Sequence, residues 1–359
     1  MSTLDKIWFT RCPVPTATGL AYKLGWLENE FKPDGIALGT LQEVGGELAR
    51  HHYDHQLATL IREGGNLFAI PAKAQGARTR LIGLTWIEEG QSILVRPDSD
   101  IRSPADLKGK RLALPVFRAT DIAENKRGRS IARGMSLAGY KGALASVGLT
   151  LDDVSLVEVG GDVLSGAGGS VRESQGRLWD GLEPLINGEV DAIYVKGAAA
   201  AEAARKLGAV VGIDLDKLPE RRFRVNNGTP RPITVHEDFL ENHFDLLVRF
   251  LYQTLRAAEW AKTHLAEVHE ILQSETRSGS EGVKAAYRDG FHLSLAPNLS
   301  RERVELFRQQ KDFQLIHGLL DRDFDYDAWL EFRPLEEAHK RLKAEGKRQR
   351  PERTDGAAA

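Results

Sequence analysis

Cys12 is the only cysteine among 359 residues, and it stands where a thiol can act. The residues before it, KIWFT (6–10), are rich in β-formers and predict a short strand. The following CPVP (12–15) breaks regular structure. In open α/β sheets ligands bind beyond the carboxyl ends of strands, so a side chain just past this strand projects into a cleft. A free cysteine also packs well as a small apolar side chain, and position alone leaves both readings open.

The segment HYDHQLATLIREGG (52–65) holds the groups such a thiol would need. His52 and His55 offer imidazoles that can hold or take the thiol proton, and a nearby cation such as Arg62 lowers a cysteine pKa from its free value of about 8.5. Arg62 can also grip an oxyanion through two parallel hydrogen bonds. Gly64 and Gly65 let the backbone approach an anion closely and offer N–H donors. Together these groups make an anion site beside an activated thiol; the other reading is a solvated polar helix followed by a glycine turn. His51 and His55 are also four residues apart with Asp54 between them, a spacing zinc can use, but no third ligand stands nearby and no metal is assigned.

The elements that must position these groups alternate between strand and helix. Strands are predicted at 6–10, 35–43, 79–86 and 91–97. A polar helix-like stretch runs from 47 to 62. In RSPADLKGKRLALP (102–115), Ser103 caps a short helix that has Pro104 at its first position and ends at Gly109, and RLALP opens a buried strand. A helix at 130–148, a strand at 154–160, a helix at 177–188, a strand at 191–195 and a further helix–strand pair (198–215) follow. From 232 the pattern becomes helical, with an apolar stripe through Leu247, Phe250, Leu251, Leu255 and Ala258. This order predicts an α/β fold with mostly parallel sheets. The expected layout is a discontinuous first domain, 1–98 with 231–340, and an inserted second domain, 99–230. The charged end, 341–359, lacks apolar periodicity and reads as a disordered tail. The Gly-rich GGDVLSGAGGS (160–170) lacks the Lys–Ser/Thr ending of a P-loop and reads as a surface loop or a lid.

Composition narrows the function classes. Lys+Arg total 49 and Asp+Glu 51, a formal net charge of -2, which argues against a nucleic-acid or membrane-surface partner. A single cysteine forms no intrachain disulfide, so nothing marks an oxidising compartment. The first residues carry no basic, apolar leader, and no run reaches the roughly 18 apolar residues of a membrane span. The expected location is the cytoplasm, or the periplasm or exterior if a leader has been removed.

At these same residues the sequence resembles the sulfinate desulfinases that act on 2'-hydroxybiphenyl-2-sulfinate. Their fold is that of the nitrate/sulfonate/taurine substrate-binding proteins of ABC transporters, the type II periplasmic-binding-protein fold. The family's nucleophile sits in a Cys-Pro-Val-Pro segment, matched by Cys12 to Pro15. Its catalytic histidine lies ten residues before its arginine, as His52 does before Arg62, and a Gly-Gly pair follows, as Gly64 and Gly65 do. The resemblance implies that Arg62 and the Gly65 N–H hold the sulfinate oxygens and that Thr10 lines the same site. TRLIGLTW, ADLKGKRLAL, NGEVDAIY and DYDAWLEF extend it along nearly the whole chain. Two departures stand out. Arg11 replaces a neutral residue, and YVKGAAAA (194–201) replaces an aromatic-rich stretch of the cleft wall, where Lys196 adds a positive charge suited to a smaller or more acidic ligand.

The implied reaction replaces a carbon–sulfinate bond with carbon–hydrogen and releases sulfite, without metal or organic cofactor, by a monomer acting on a small-molecule sulfinate or sulfonate. Two other readings use the same cleft: a non-catalytic sulfonate- or sulfinate-binding protein serving a transporter or sensor, and a different cofactor-free lyase or hydrolase.

Overall fold

The computed structural model describes residues 4–10, 14–117, 119–124, 129–160, 182–197, 204–287 and 289–348. Arg11 and Cys12, the Gly-rich segment from 161, residues 198–203 and the end from 349 lie outside them.

Among the described residues ten strands form three sheets. The largest contains β1 (Lys6–Thr10), β2 (Ala37–Thr40), β3 (Leu60–Glu63), β4 (Thr79–Thr85) and β10 (Arg231–His236), in the order β2-β1-β3-β10-β4. β5 (Gln91–Val95), β8 (Ile193–Lys196) and β9 (Val210–Asp214) form a second sheet, and β6 (Arg111–Pro115) pairs with β7 (Ser155–Val159). A single bridge, Leu112 to Ala192, joins β6 to the segment leading into β8. The expectation of mostly parallel sheets is corrected. Only the pairs β1–β2, β1–β3 and β6–β7 are parallel, while β10 runs against β3 and β4, and β5 against β8 and β9.

Two strands escaped the sequence reading. Residues 60–62, read as the end of a polar helix, form most of β3, and 232–236, read as the start of helix, belong to β10. In the first case the helix Gly46–Asp54 stops at His55, whose φ of 57° turns the chain left-handed. In the second, Ile233 to Val235 are β-branched and wholly buried between two strands.

The core beneath the large sheet is carried by the helix Phe244–Ala261, whose predicted stripe of Leu247, Phe250, Leu251, Leu255 and Ala258 is buried. Each such leucine or phenylalanine contributes about 1.5–3 kcal/mol by leaving water. The end of the chain departs from expectation: the helix Arg333–Arg348 runs past residue 341 rather than dissolving into a tail there. Leu335, Ala338 and Leu342 pack into the same core, and Arg341 and Glu345 bond Asp245 and Tyr252. The 103–109 corner is a 3-10 turn, Pro104–Leu107, whose Asp106 carboxylate accepts from the Ser103 N–H and hydroxyl at 2.8 and 2.9 Å. Among the described residues no helix is long and apolar enough to cross a membrane.

Candidate active site

β1 and β3 lie side by side and parallel, with Thr10 in register with Arg62. Both therefore reach the carboxyl edge of the sheet together, where α/β folds place ligands. The Thr10 hydroxyl donates to the Glu63 carbonyl at 2.9 Å and pins the two strand ends. Cys12 follows two residues later, outside the described residues.

Arg62 is 1% exposed, and its surroundings explain how a cation is kept there. A helix leaves its last four carbonyls without partners and carries partial negative charge at that end. The helix Gly46–Asp54 ends beside Arg62, whose Nε donates to the His52 carbonyl at 3.2 Å, while Nη1 donates to the Gly65 carbonyl at 3.3 Å. Among the described residues, two backbone carbonyls thus help to hold the guanidinium in place.

The two glycines have different tasks. A Cβ at Gly64 would lie 2.7 Å from the Arg62 guanidinium, so only glycine lets that plane pass. The Gly64 N–H is engaged, donating to the Pro232 carbonyl at 3.3 Å. A Cβ at Gly65 would lie 2.2 Å from the Asn227 carboxamide. Gly65 precedes the helix Asn66–Ala74, and its N–H has no partner among the described residues. Of the two N–H groups, that of Gly65 is therefore the one placed to bind an anion.

His52 and His55 are each 2% exposed. The His52 ring sits edge-on to Tyr53 and Phe68, and its Nδ1 has no hydrogen-bond partner among the described residues. Neither ring nitrogen of His55 has one. Burial, reinforced by the Arg62 charge, holds both pKa values well below the ordinary histidine value, so both rings are neutral near pH 7. His51 instead bonds Asp54 at 2.9 Å, and among the described residues no three His, Cys, Asp or Glu side chains are grouped to hold a metal.

Lys196 lies beyond Asn227. Its ammonium donates to the Asn227 carbonyl at 2.8 Å and stands 3.5 Å from Glu89, and burial pulls its pKa down. Asn227 is the link, since its side chain abuts Gly65 and accepts from the Leu67 N–H at 3.1 Å. Thr10, His52, His55, Arg62, Gly64 and Gly65 thus come together directly, and Lys196 stands one residue removed.

Sequence reasoning missed Glu63, Asn227 and Arg231. Glu63 is 1% exposed, and burial raises its carboxyl pKa, drawn back by Thr18, Arg231 and Thr85. Arg231 opens β10 and is close enough to act by charge on His52, Glu63 and Lys196. A charged residue inside the β-rich run RPITV, and the turn-like NNG before it, were the available signals.

No family model matches the chain. It is similar to the 2'-hydroxybiphenyl-2-sulfinate desulfinases of Rhodococcus erythropolis and Rhodococcus qingshengii, each 25% identical over 355 residues that cover 90% of this chain and 91% of the relative. Among solved structures it resembles a cysteine-to-serine mutant of DszB in complex with biphenyl-2-sulfinic acid (TM-score 0.74, 23% identity, covering 94% of this chain and 99% of that one). It also resembles the periplasmic aliphatic sulphonate binding protein SsuA from Escherichia coli (TM-score 0.62, 16% identity, covering 91% and 92%). The fold is accordingly the two-domain α/β fold of type II periplasmic binding proteins.

Proposed function

We propose that the protein is a sulfinate desulfinase-like hydrolase that cleaves a carbon–sulfur bond and releases sulfite, with Cys12 acting on the bond. The observation that carries this is the clasp of Arg62: a buried guanidinium held by two carbonyls, beside the Gly65 N–H, on the strand adjoining the one that leads to Cys12. Similarity over 90% of the chain to desulfinases supports the same reading.

A sulfinate carries one negative charge on two oxygens. Arg62 and the Gly65 N–H receive those oxygens and stabilise the charge as the bond breaks. Both imidazoles are neutral, and in the first of two routes Cys12 is protonated when the sulfinate binds. The thiol proton goes to the ring or chain carbon, the carbon–sulfur electron pair forms the new carbon–hydrogen bond, and sulfur dioxide departs. Water adds to it, giving bisulfite and a proton that restores the thiol, with neutral His52 as the relay. The balance is RSO2⁻ + H2O → RH + HSO3⁻. In the other route a Cys12 thiolate attacks sulfur and the carbon–sulfur bond breaks; the carbon keeps the electron pair and takes the proton the thiol gave up, forming RH, and the Cys–S–SO2⁻ adduct left behind is hydrolysed by water to the thiol and HSO3⁻. Mass spectrometry of the protein quenched during turnover separates the two, since only the second route leaves an adduct on Cys12.

We further propose a cytoplasmic monomer with lobes near 1–98 plus 231–340 and 99–230. The decisive test is sulfite release from 2'-hydroxybiphenyl-2-sulfinate and a panel of aryl and alkyl sulfinates. The expected outcome is turnover that falls at least 10²-fold in Cys12→Ser. Tight binding with no sulfite, equal in both proteins, would overturn the enzyme in favour of a binding protein.

A further inference from the structure

Gly65 opens the helix Asn66–Ala74 without a side-chain cap of its own, and its backbone does not demand glycine. A φ of -58° and ψ of 147° suit any residue, including the serine, threonine or asparagine that would ordinarily cap a helix from this position. The cap comes instead from Asn227, 160 positions away, whose Oδ1 accepts from the Leu67 N–H at 3.1 Å. The same carboxamide fills the place of a side chain at 65, where a Cβ would collide with Oδ1. Glycine is needed at 65 because the capping group reaches the helix from elsewhere in the chain.

Asn227 is itself braced. Its N–H donates to Asn226 Oδ1 at 2.7 Å, its carbonyl accepts from Lys196 at 2.8 Å, and its Nδ2 lies 3.7 Å from Met135 Sδ. Paired backbone bonds of 3.0 Å between Asn226 and Thr229 close the turn that carries it. Two fully buried asparagines pin that turn. Asn66 Nδ2 donates to the carbonyls of Asn226 and Pro230 at 2.7 and 3.0 Å, and Asn226 Nδ2 donates to the Met135 carbonyl and the Tyr194 hydroxyl at 2.9 and 3.0 Å. A satisfied buried network of this kind fixes geometry. With Arg62 on the Gly65 carbonyl and Asn227 on the Leu67 N–H, the start of the helix is gripped from two sides, and the Gly65 N–H is left for the anion.

Charge supplies a second argument. Aspartate caps a helix about as well as asparagine, and a helix N-terminus favours a negative charge. Capping alone would be served at least as well by a carboxylate at 227. Anion binding would not, because that carboxylate would lie against Gly65 and repel the sulfinate.

We propose that Asn227 is a positioning residue of the sulfinate site, an uncharged cap supplied from outside the helix that fixes the Gly65 N–H toward the sulfinate without repelling it. This rests on the sulfinate reading and adds to it a residue that acts on the ligand through Gly65.

The test compares full-length wild type, Asn227→Asp and Asn227→Ala in thermal melts, in calorimetric Kd for benzenesulfinate and in sulfite release. Asn227→Asp keeps the acceptor, so its melting midpoint is expected within about 3 °C of wild type or above it. Its Kd is expected to weaken about tenfold or more, and its KM to rise with little change in kcat. Asn227→Ala removes the cap and frees Gly65 to move, so its midpoint falls and its Kd weakens about fivefold or more. The alanine variant decides if the aspartate variant does not fold. Either variant, folded and binding benzenesulfinate within about twofold of wild type, overturns the assignment. The two proposals fail separately: weakened binding in the variants without sulfite release by the wild type keeps Asn227 and removes the desulfinase, and sulfite release with unchanged binding does the reverse.

Discussion

Arg62 and Lys196 are both buried cations on the wall of one site, yet they are compensated differently. Arg62 is held by the carbonyls of His52 and Gly65, with two neutral imidazoles alongside. Lys196 is held by one carbonyl and the carboxylate of Glu89. Dipoles steady a charge without cancelling it, whereas a carboxylate cancels most of it. The carbonyls at Arg62 orient its charge, whereas Glu89 offsets part of the charge of Lys196. The first suits the charge that moves during bond cleavage, and the second suits recognition.

The sharpest way to break this contrast is to change each cation alone. Arg62→Gln should cost about 10²–10³-fold in kcat, as removal of a charge-stabilising donor does elsewhere. Arg62→Lys should recover little of it, because an ammonium cannot span two carbonyls and an oxyanion in one plane. Lys196→Met should act mainly through KM. Steady-state sulfite assays on the three variants decide it: equal losses in kcat at Arg62 and Lys196 would erase the distinction.

A smaller effect is expected from Gly64→Ala. The new methyl must displace the guanidinium from 2.7 Å, which should cost about 1–3 kcal/mol in stability and a comparable factor in activity. Gly45 has nothing within 4 Å of its Cβ position, so Gly45→Ala is the control and should be silent in both thermal melts and turnover.

What the sequence disclosed divides along the same line. The strand at 6–10, the turn at Ser103 and the helix stripe through Leu247 and Phe250 are local patterns, and each appears in the fold. The chemical types at His52, Arg62 and the glycine pair were legible because they are close in sequence. β3 and β10 were not, because four residues after a polar helix and a strand containing Pro232 carry too little local signal. Glu63 and Arg231 were missed for a related reason: 168 positions apart, they meet only once β10 inserts beside β3. Cys12 lies outside the described residues, so its place rests on the strand before it.

Acidity offers the next test. Unfolded histidines take protons near pH 6.5, while burial and Arg62 prevent His52 and His55 from doing so until lower pH. Below about 6.5 the unfolded chain thus binds more protons, and stability falls as pH falls, by up to about 1.4 kcal/mol per pH unit for each ring. The buried His236 and the half-buried His317 and His339 shift the same way and add smaller contributions. His55→Asn tolerates the left-handed backbone and should flatten the slope of denaturant stability between pH 6.5 and 5. A slope unchanged by that substitution would show that the site does not exclude protons.

The smallest expected effect has the opposite sign in pH. Burial raises the Glu63 pKa, so the folded chain keeps its proton above the pH, about 4.5, at which the unfolded chain releases it. Stability is then lost as pH rises through that window, and above it the cost of a buried carboxylate persists. Glu63→Gln keeps an oxygen to accept from the Thr85 hydroxyl and removes the ionisation. It should be near neutral at pH 4.5 and stabilising by about 1 kcal/mol at pH 8. Urea unfolding of both proteins at the two pH values checks it. A variant that loses stability at pH 8 and not at pH 4.5 would mean that Glu63 is ionised and paired with Arg231. The second guanidinium would then be compensated by a carboxylate as Lys196 is, and Arg62 would be left as the cation held by backbone carbonyls.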